Sequence, residues 1–351
     1  MDKKDEIILQ QLDVIRTMTE NNLSRLGSDF WGQPRPPQPA APQKESPAEH
    51  QPGKKTVSAQ EEAPEAEAEV LPPEKLKDLL AELDSYVGLG MIKEEVRSLI
   101  NMVQVYKLRK EHDLPTLDMS LHMVFSGNPG TGKTMVARLM ARIYHSLGIL
   151  SKGQLVEVDR SGLVAGYVVQ TAIKTKKVID KAMGGVLFID EAYALNGKSE
   201  NDFGQEAIDT ILKAMEDNRD DLVVIVAGYT KLMEDFVHSN PGLESRFNRF
   251  LLFEDYNSDE LMEIFRMRCK KGLYEISAEA EPLIRDYITE ENGDSETFGN
   301  GRGVRNLFEN ILVAQNNRLA KMEQVTREDL MLLTADDVLH ARGKLDEGDD
   351  A

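Results

Sequence analysis

Gly127-Asn128-Pro129-Gly130-Thr131-Gly132-Lys133-Thr134 decides how the rest of this 351-residue sequence reads. The apolar run His122–Ser126 precedes it and the helix-spaced run Met135–Tyr144 follows it, the strand–loop–helix context that a phosphate-binding loop requires. Its glycines let successive backbone N–H groups turn inward around a β-phosphate, and the helix N-terminus behind them adds its dipole. Lys133 supplies a point charge for the β- and γ-phosphates, and Thr134 offers a hydroxyl to Mg2+. All eight residues, Gly127, Asn128, Pro129, Gly130, Thr131, Gly132, Lys133 and Thr134, are therefore expected to bind nucleotide phosphates.

Further along, Val186-Leu187-Phe188-Ile189-Asp190-Glu191 is an apolar run, as in a buried central strand, ending in two carboxylates. In open α/β sheets ligands bind beyond the carboxyl ends of the strands, which is where this pair falls. Asp190 is expected to hold Mg2+ and Glu191 to polarise the attacking water, the step that separates hydrolysis from binding. Ser245-Arg246-Phe247-Asn248-Arg249 sets two arginines three apart just before another apolar run. Their forked, permanently charged side chains suit developing phosphoryl charge, although surface pairing with acidic residues is the plainer alternative. Arg302 opens a helical segment in the C-terminal part and could reach back to a γ-phosphate. Tyr167 lies beside Gly166 after the run Gln154–Val158, and two readings are open for it: a ring packed in the core, or a ring on a loop that grips polypeptide.

Around these motifs the chain alternates short β-rich runs with helix-length segments from Leu121 onward, which predicts a parallel sheet with helices on both faces. Helices are expected ahead of it at 74–83 and 91–112. After Tyr256 only helical segments are expected, near 258–271, 277–291, 303–321 and 335–341, so the fold class is α/β followed by a small all-α domain. Residues 1–31 carry one amphipathic helix, with Ile7, Ile8, Leu12, Ile15, Leu23 and Leu26 at helical spacing. Residues 32–73 hold ten of the fourteen prolines and the run EEAPEAEAE, a composition expected to stay a flexible linker. The domains expected are thus 74–256 and 257–342, with an acidic tail at 343–351.

Composition narrows the function. A formal net charge of −19 repels phosphate backbones, so no nucleic-acid partner is expected. The single cysteine, Cys269, excludes a disulfide framework. No apolar run approaches the ~20 residues of a membrane helix, and MDKKDEIILQQLDVI lacks the continuous apolar stretch of a signal peptide. The expectation is a cytoplasmic protein without membrane insertion. The six histidines show no metal-ligand spacing.

The order of phosphate loop, Asp-Glu strand end, paired arginines and late arginine resembles the P-loop NTPases of the AAA+ class. Within it the chain resembles the CbbX-like branch, which includes red-type Rubisco activase, stage V sporulation protein K and the ATPases of type VII secretion. The likeness rests on LDSYVGLGMIKEEV, GLVAGYVVQTAIKT, GGVLFIDEAYAL, DLVVIVAGYTKLM, NPGLESRFNRFLLFEDY and GNGRGVRNLFENI, and covers about residues 76–341. It implies ATP and Mg2+ as ligands, a C-terminal lid domain, and a homo-oligomer in the form of a hexameric ring. In that ring Arg246 and Arg249 are implied as arginine fingers to a neighbour's ATP, Arg302 as the sensor 2 residue, and Tyr167 as a pore residue acting on a protein client of unknown identity.

Two positions depart from the family pattern. Tyr167-Val168-Val169 stands where an aromatic–aliphatic–glycine run is commoner, and Gly228-Tyr229-Thr230 stands where many members carry the sensor 1 asparagine. Either Tyr229 or Thr230 is open for that role. A GTPase would carry Asn-Lys-x-Asp and an ABC subunit Leu-Ser-Gly-Gly-Gln, and neither occurs. A nucleotide-dependent scaffold with slow hydrolysis is the other reading; Glu191 together with both arginines counts against it.

Overall fold

The chain divides into two units, Met1–Ala66 and Glu67–Ala351. In the computed structural model of the protein the described residues are 73–116, 120–197 and 202–343, all within the second unit. The expected N-terminal helix, the linker up to residue 72 and the tail from residue 344 lie outside the described residues.

Helices α1 (Leu76–Ser85) and α2 (Gly90–Glu111) lead into β1 (Met123–Gly127), α3 (Lys133–Ser146), β2 (Leu155–Val158), α4 (Val168–Ala182) and β3 (Val186–Ile189). There follow α5 (Gly204–Asp217), β4 (Val223–Gly228), α6 (Thr230–His238), α7 (Pro241–Arg246) and β5 (Phe250–Phe253). The five strands form one sheet in the order β2-β3-β4-β1-β5, every pair parallel. β1, β3 and β4 are buried along their whole length, because helices cover both faces of the sheet. Phe125, Phe188 and Ile225 pack on one side against α1, α2 and α3; Val124, Leu187 and Val226 pack on the other against α5 and α6. The consequence for function is directional: parallel strands end on one edge, so the segments after β1, β3 and β4 meet there.

The sheet also carries a titratable group in its interior. His122 is buried, its Nδ1 accepts the Val224 N–H at 3.0 Å, and its ring meets Phe247 edge-on. Burial, opposed by a backbone bond to Met215 and aided by the charge of Arg246, pushes this imidazole down to about 4. As the pH falls from about 6.5 to about 4 the unfolded chain takes up a proton that the folded chain refuses, so this stabilisation is complete above 6.5 and fades as the pH falls to about 4. We expect about 2 kcal/mol to be lost between pH 7 and pH 5 through this residue. Urea unfolding of wild type and His122→Asn, whose amide oxygen keeps an acceptor near Val224, checks it: equal acid slopes in the two proteins would refute the assignment.

Beyond β5 the chain forms a second core. α8 (Ser258–Gly272), α9 (Ala280–Glu291), α10 (Gly301–Leu319) and α11 (Ala335–Ala341) bury Leu261, Phe265, Ile284, Val304, Ile311 and Val338 together. The helices fall where the apolar spacing predicts them. A two-residue parallel ladder, β6 (Glu275–Ile276) with β7 (Leu332–Leu333), joins them, and Gln315 Nε2 donates to the Leu330 and Leu332 carbonyls beside it at 3.2 and 3.0 Å. Two residues are too short to show a period in sequence, which is why this ladder was not expected. Among the described residues no helix is long and apolar enough to cross a membrane.

Candidate functional site

The octet after β1 forms the floor of a cleft of about 610 Å3 between the sheet edge and the helical lid. Gly130 and Gly132 take φ of 77° and 98°, left-handed values that favour glycine. At Gly130 the need is also steric, since a Cβ there would stand 2.2 Å from the Gly299 carbonyl oxygen of the lid. Gly127, Pro129, Gly130, Gly132, Lys133 and Thr134 line the cleft. Asn128 and Thr131 do not send their side chains into it. The Asn128 amide donates to Asp255 Oδ2 at 2.9 Å, and the buried Thr131 hydroxyl donates to the Asn128 carbonyl at 2.8 Å, so these two serve the loop by shaping its backbone.

Lys133 is the first residue of α3, and its Nζ donates to the carbonyls of Gly127 and Asn128 at 2.8 and 2.7 Å. Burial lowers its ammonium to about 8; Asp190 opposes the fall and Arg302 adds to it. A desolvated ammonium with a second cation nearby is a site that gains from an anion. Asp190 follows β3, its N–H held by the Val158 carbonyl, and its Oδ1 accepts the Glu191 N–H at 3.0 Å. Glu191 adopts φ 49° and ψ 41°, a left-handed conformation that costs a non-glycine residue on the order of 1 kcal/mol or more and concentrates at functional sites. Glu191 lines the cleft and also borders a side cavity of Asp159, Arg160, Ser161, Val164 and Ala194. Thr134 and Asp190 both line the cleft and carry a hydroxyl and a carboxylate, the hard oxygen donors that suit Mg2+.

The lid closes the cleft with Arg302, and with cations and apolar groups that the sequence did not single out: Ile264, Met267, Arg268, Lys271 and Arg305. Tyr86 and Val87, from the turn after α1, also line it. Periodicity flags such residues as helix faces and gives no sign that they face a cleft. Of the two candidates after β4, Tyr229 lines the cleft together with Gly228, while Thr230 starts α6 and does not line it. A side chain at 228 would meet the Tyr193 ring at 2.7 Å, so Tyr193 fills the space beside Tyr229.

Arg246 and Arg249 do not line this cleft. Arg246 donates to Glu216 Oε2 at 3.2 Å, and its buried Nε has no partner. Arg249 turns inward, to the Ser120 carbonyl at 3.3 Å and Met102 Sδ at 3.1 Å. Tyr167 is 69% exposed and Val169 70%, which removes the core-packed reading of Tyr167.

The family described as "ATPase family associated with various cellular activities (AAA)" matches residues 123–255, and "AAA lid domain" matches residues 257–348. Stage V sporulation protein K of Bacillus subtilis is 41% identical over 265 residues, 75% of this chain and 82% of that protein. Protein CbbX of Cereibacter sphaeroides is 46% identical over 245 residues, 69% of this chain and 79% of that one. The chloroplastic ribulose bisphosphate carboxylase/oxygenase activase of Cyanidioschyzon merolae is 41% identical over 272 residues, 76% and 92% of the two chains. Among solved structures, the FIGL-1 AAA domain in complex with ADP superposes with a TM-score of 0.52 at 18% identity, covering 76% of this chain and 85% of that one, a likeness of fold.

Proposed function

The chain belongs to the AAA family of ATPases, to the CbbX-like branch, and on that premise we propose that it is a ring-forming motor in which ATP hydrolysis remodels or threads a protein client. Residues 74–256 are the ATPase domain and 257–342 the lid in this reading. The phosphate loop binds the triphosphate through its backbone N–H groups and Lys133. Mg2+, held by Thr134 and Asp190, would neutralise phosphate charge. Glu191 takes the proton of the attacking water, Arg302 ties the lid to the γ-phosphate, and Tyr229 is the cleft residue closest in place to a sensor 1 group.

The observation that carries the reading is the separation of the two charge sets. Lys133, Asp190, Glu191 and Arg302 converge on one cleft, while Arg246 lies outside it on the same chain. An arginine placed so can serve phosphoryl transfer in trans, from a neighbouring copy in a hexameric ring, which makes hydrolysis depend on assembly. Arg249 is the second finger of this scheme, once released from its weak inward partners. Tyr167, exposed at the start of α4, faces the client in the pore. The client's identity is open; the compartment proposed is the cytoplasm, and neither nucleic acid nor membrane is a partner.

Two measurements on the full chain test this. Light scattering with Mg-ATP should show a ring, and a permanent monomer would overturn the proposal. Turnover stimulated by an unfolded polypeptide such as casein should fall about tenfold in Tyr167→Ala, as expected when an aromatic contact of about 1–2 kcal/mol is removed. Unchanged stimulation would remove Tyr167 from the pore.

A further inference from the structure

We propose that Asp255 and Asn300 form a latch that docks the lid on the phosphate loop and aims Arg302 into the cleft, so that both are positioning residues of the nucleotide site. The proposal rests on the nucleotide reading of the cleft. Its contacts, however, stand on their own.

Asp255 lies two residues after β5, and its carboxylate accepts hydrogen bonds from three side chains, one on the phosphate loop and two on the lid. Asn128 Nδ2 of the phosphate loop donates to both oxygens, at 3.1 and 2.9 Å. From the lid, Ser295 Oγ donates to Oδ2 at 2.6 Å and Asn300 Nδ2 to Oδ1 at 2.8 Å. Asn300 is fully buried, and its other amide atom, Oδ1, accepts the Tyr256 N–H at 2.9 Å. Next to it the backbones touch directly: the Gly301 N–H donates to the Gly130 carbonyl at 3.1 Å.

The backbone of Asn300 gives the second, independent indication. Its φ of 55° and ψ of −129° are a combination that favours glycine. Gly299 and Gly301 stand on either side, yet the strained position carries a side chain. That side chain occupies a fully buried place and makes the bonds just described, which offsets the strain. Asn300 is also the residue from which α10 starts, with Arg302 one residue into the helix. Its conformation therefore sets the direction in which Arg302 leaves the helix. Loop and lid are ordered through shared bonds, so a ligand that orders the loop meets a lid already in place, and a broken latch lowers the binding-competent fraction.

The test uses the full chain, with mant-ATP and mant-ADP as probes and backbone amide exchange over residues 295–305 as a readout independent of activity. Asn300→Gly keeps the unusual backbone and deletes the side chain. It should raise the Kd for mant-ATP about tenfold and speed exchange at Gly301 and Arg302, because buried bonds worth about one tenfold factor are lost. Asn300→Asp sets two carboxylates face to face and should be at least as weak, while the swap Asp255→Asn/Asn300→Asp should recover most of the affinity. Should either single variant fail to fold, the swap compared with Asp255→Asn alone gives the same reading. Wild-type affinity and protection in the single variants would overturn the latch, as would a lower melting temperature with unchanged Kd, which marks a structural role alone. Absence of mant-ATP binding to the wild type would instead overturn the nucleotide reading, leaving the exchange data to judge the latch.

Discussion

Glu191→Gln is expected to cut the rate of ATP hydrolysis by about 10³-fold with nucleotide affinity unchanged, since a general base contributes 10²–10⁴-fold and the amide cannot take the proton. The substitution is nearly isosteric. The contact that orders this corner, Asp190 Oδ1 accepting the Glu191 N–H, involves backbone at 191 and survives the change. The left-handed backbone at 191 is equally open to Gln, so folding should be retained. What remains is an enzyme that binds ATP and stays in the bound state, and ATP-stabilised assemblies should accumulate in light scattering. A turnover number within threefold of wild type would refute Glu191 as the water activator, whatever the motif around it.

Arg246→Ala is expected to lower turnover by about 10³-fold or more, the range seen when a charge-stabilising arginine is removed from phosphoryl transfer. ATP binding by the single chain should be preserved, because Arg246 does not line its own cleft. The half-exposed ion pair to Glu216 that is lost with it is of a kind worth little to stability, so loss of activity cannot be laid to unfolding. The sharpest form of the experiment mixes the two variants. Arg246→Ala copies keep Glu191, and Glu191→Gln copies keep Arg246; a ring that shares sites should regain activity above the sum of the separate proteins. If mixing restores nothing and Arg246→Ala alone hydrolyses ATP at the wild-type rate, the arginine serves only its own chain. Arg249→Ala tests the inward-facing partner of the pair, and should cost some stability as well, since it severs the contacts to Ser120 and Met102.

The centre of the sheet was legible because β3 and β4 are continuous apolar runs between turn signals, the pattern that burial on both faces demands. The runs 121–126, 185–190 and 222–228 read as strands, and β1, β3 and β4 lie there to within two residues. The phosphate loop was legible because its chemistry is local: consecutive residues supply the left-handed glycines, the lysine and the helix start. The lid helices were legible by spacing, and their two-residue ladder was not.

What the order of residues determined by itself is therefore the set of parts: a phosphate loop, a strand ending in Asp190 and Glu191, two arginines before β5, one arginine opening a late helix. Tertiary structure decided which parts meet. It set Arg302 on the cleft and Arg246 outside it, exposed Tyr167, chose Tyr229 over Thr230 as a cleft residue, and drew Asn128, Asp255 and Asn300 into one hydrogen-bonded group. The physical reason is range: strand, helix and loop propensities act over a few residues, whereas Asn128 and Asp255 are 127 positions apart and meet because β1 and β5 pair in parallel and end on one edge, and Asn300 joins them because the lid folds back over that edge.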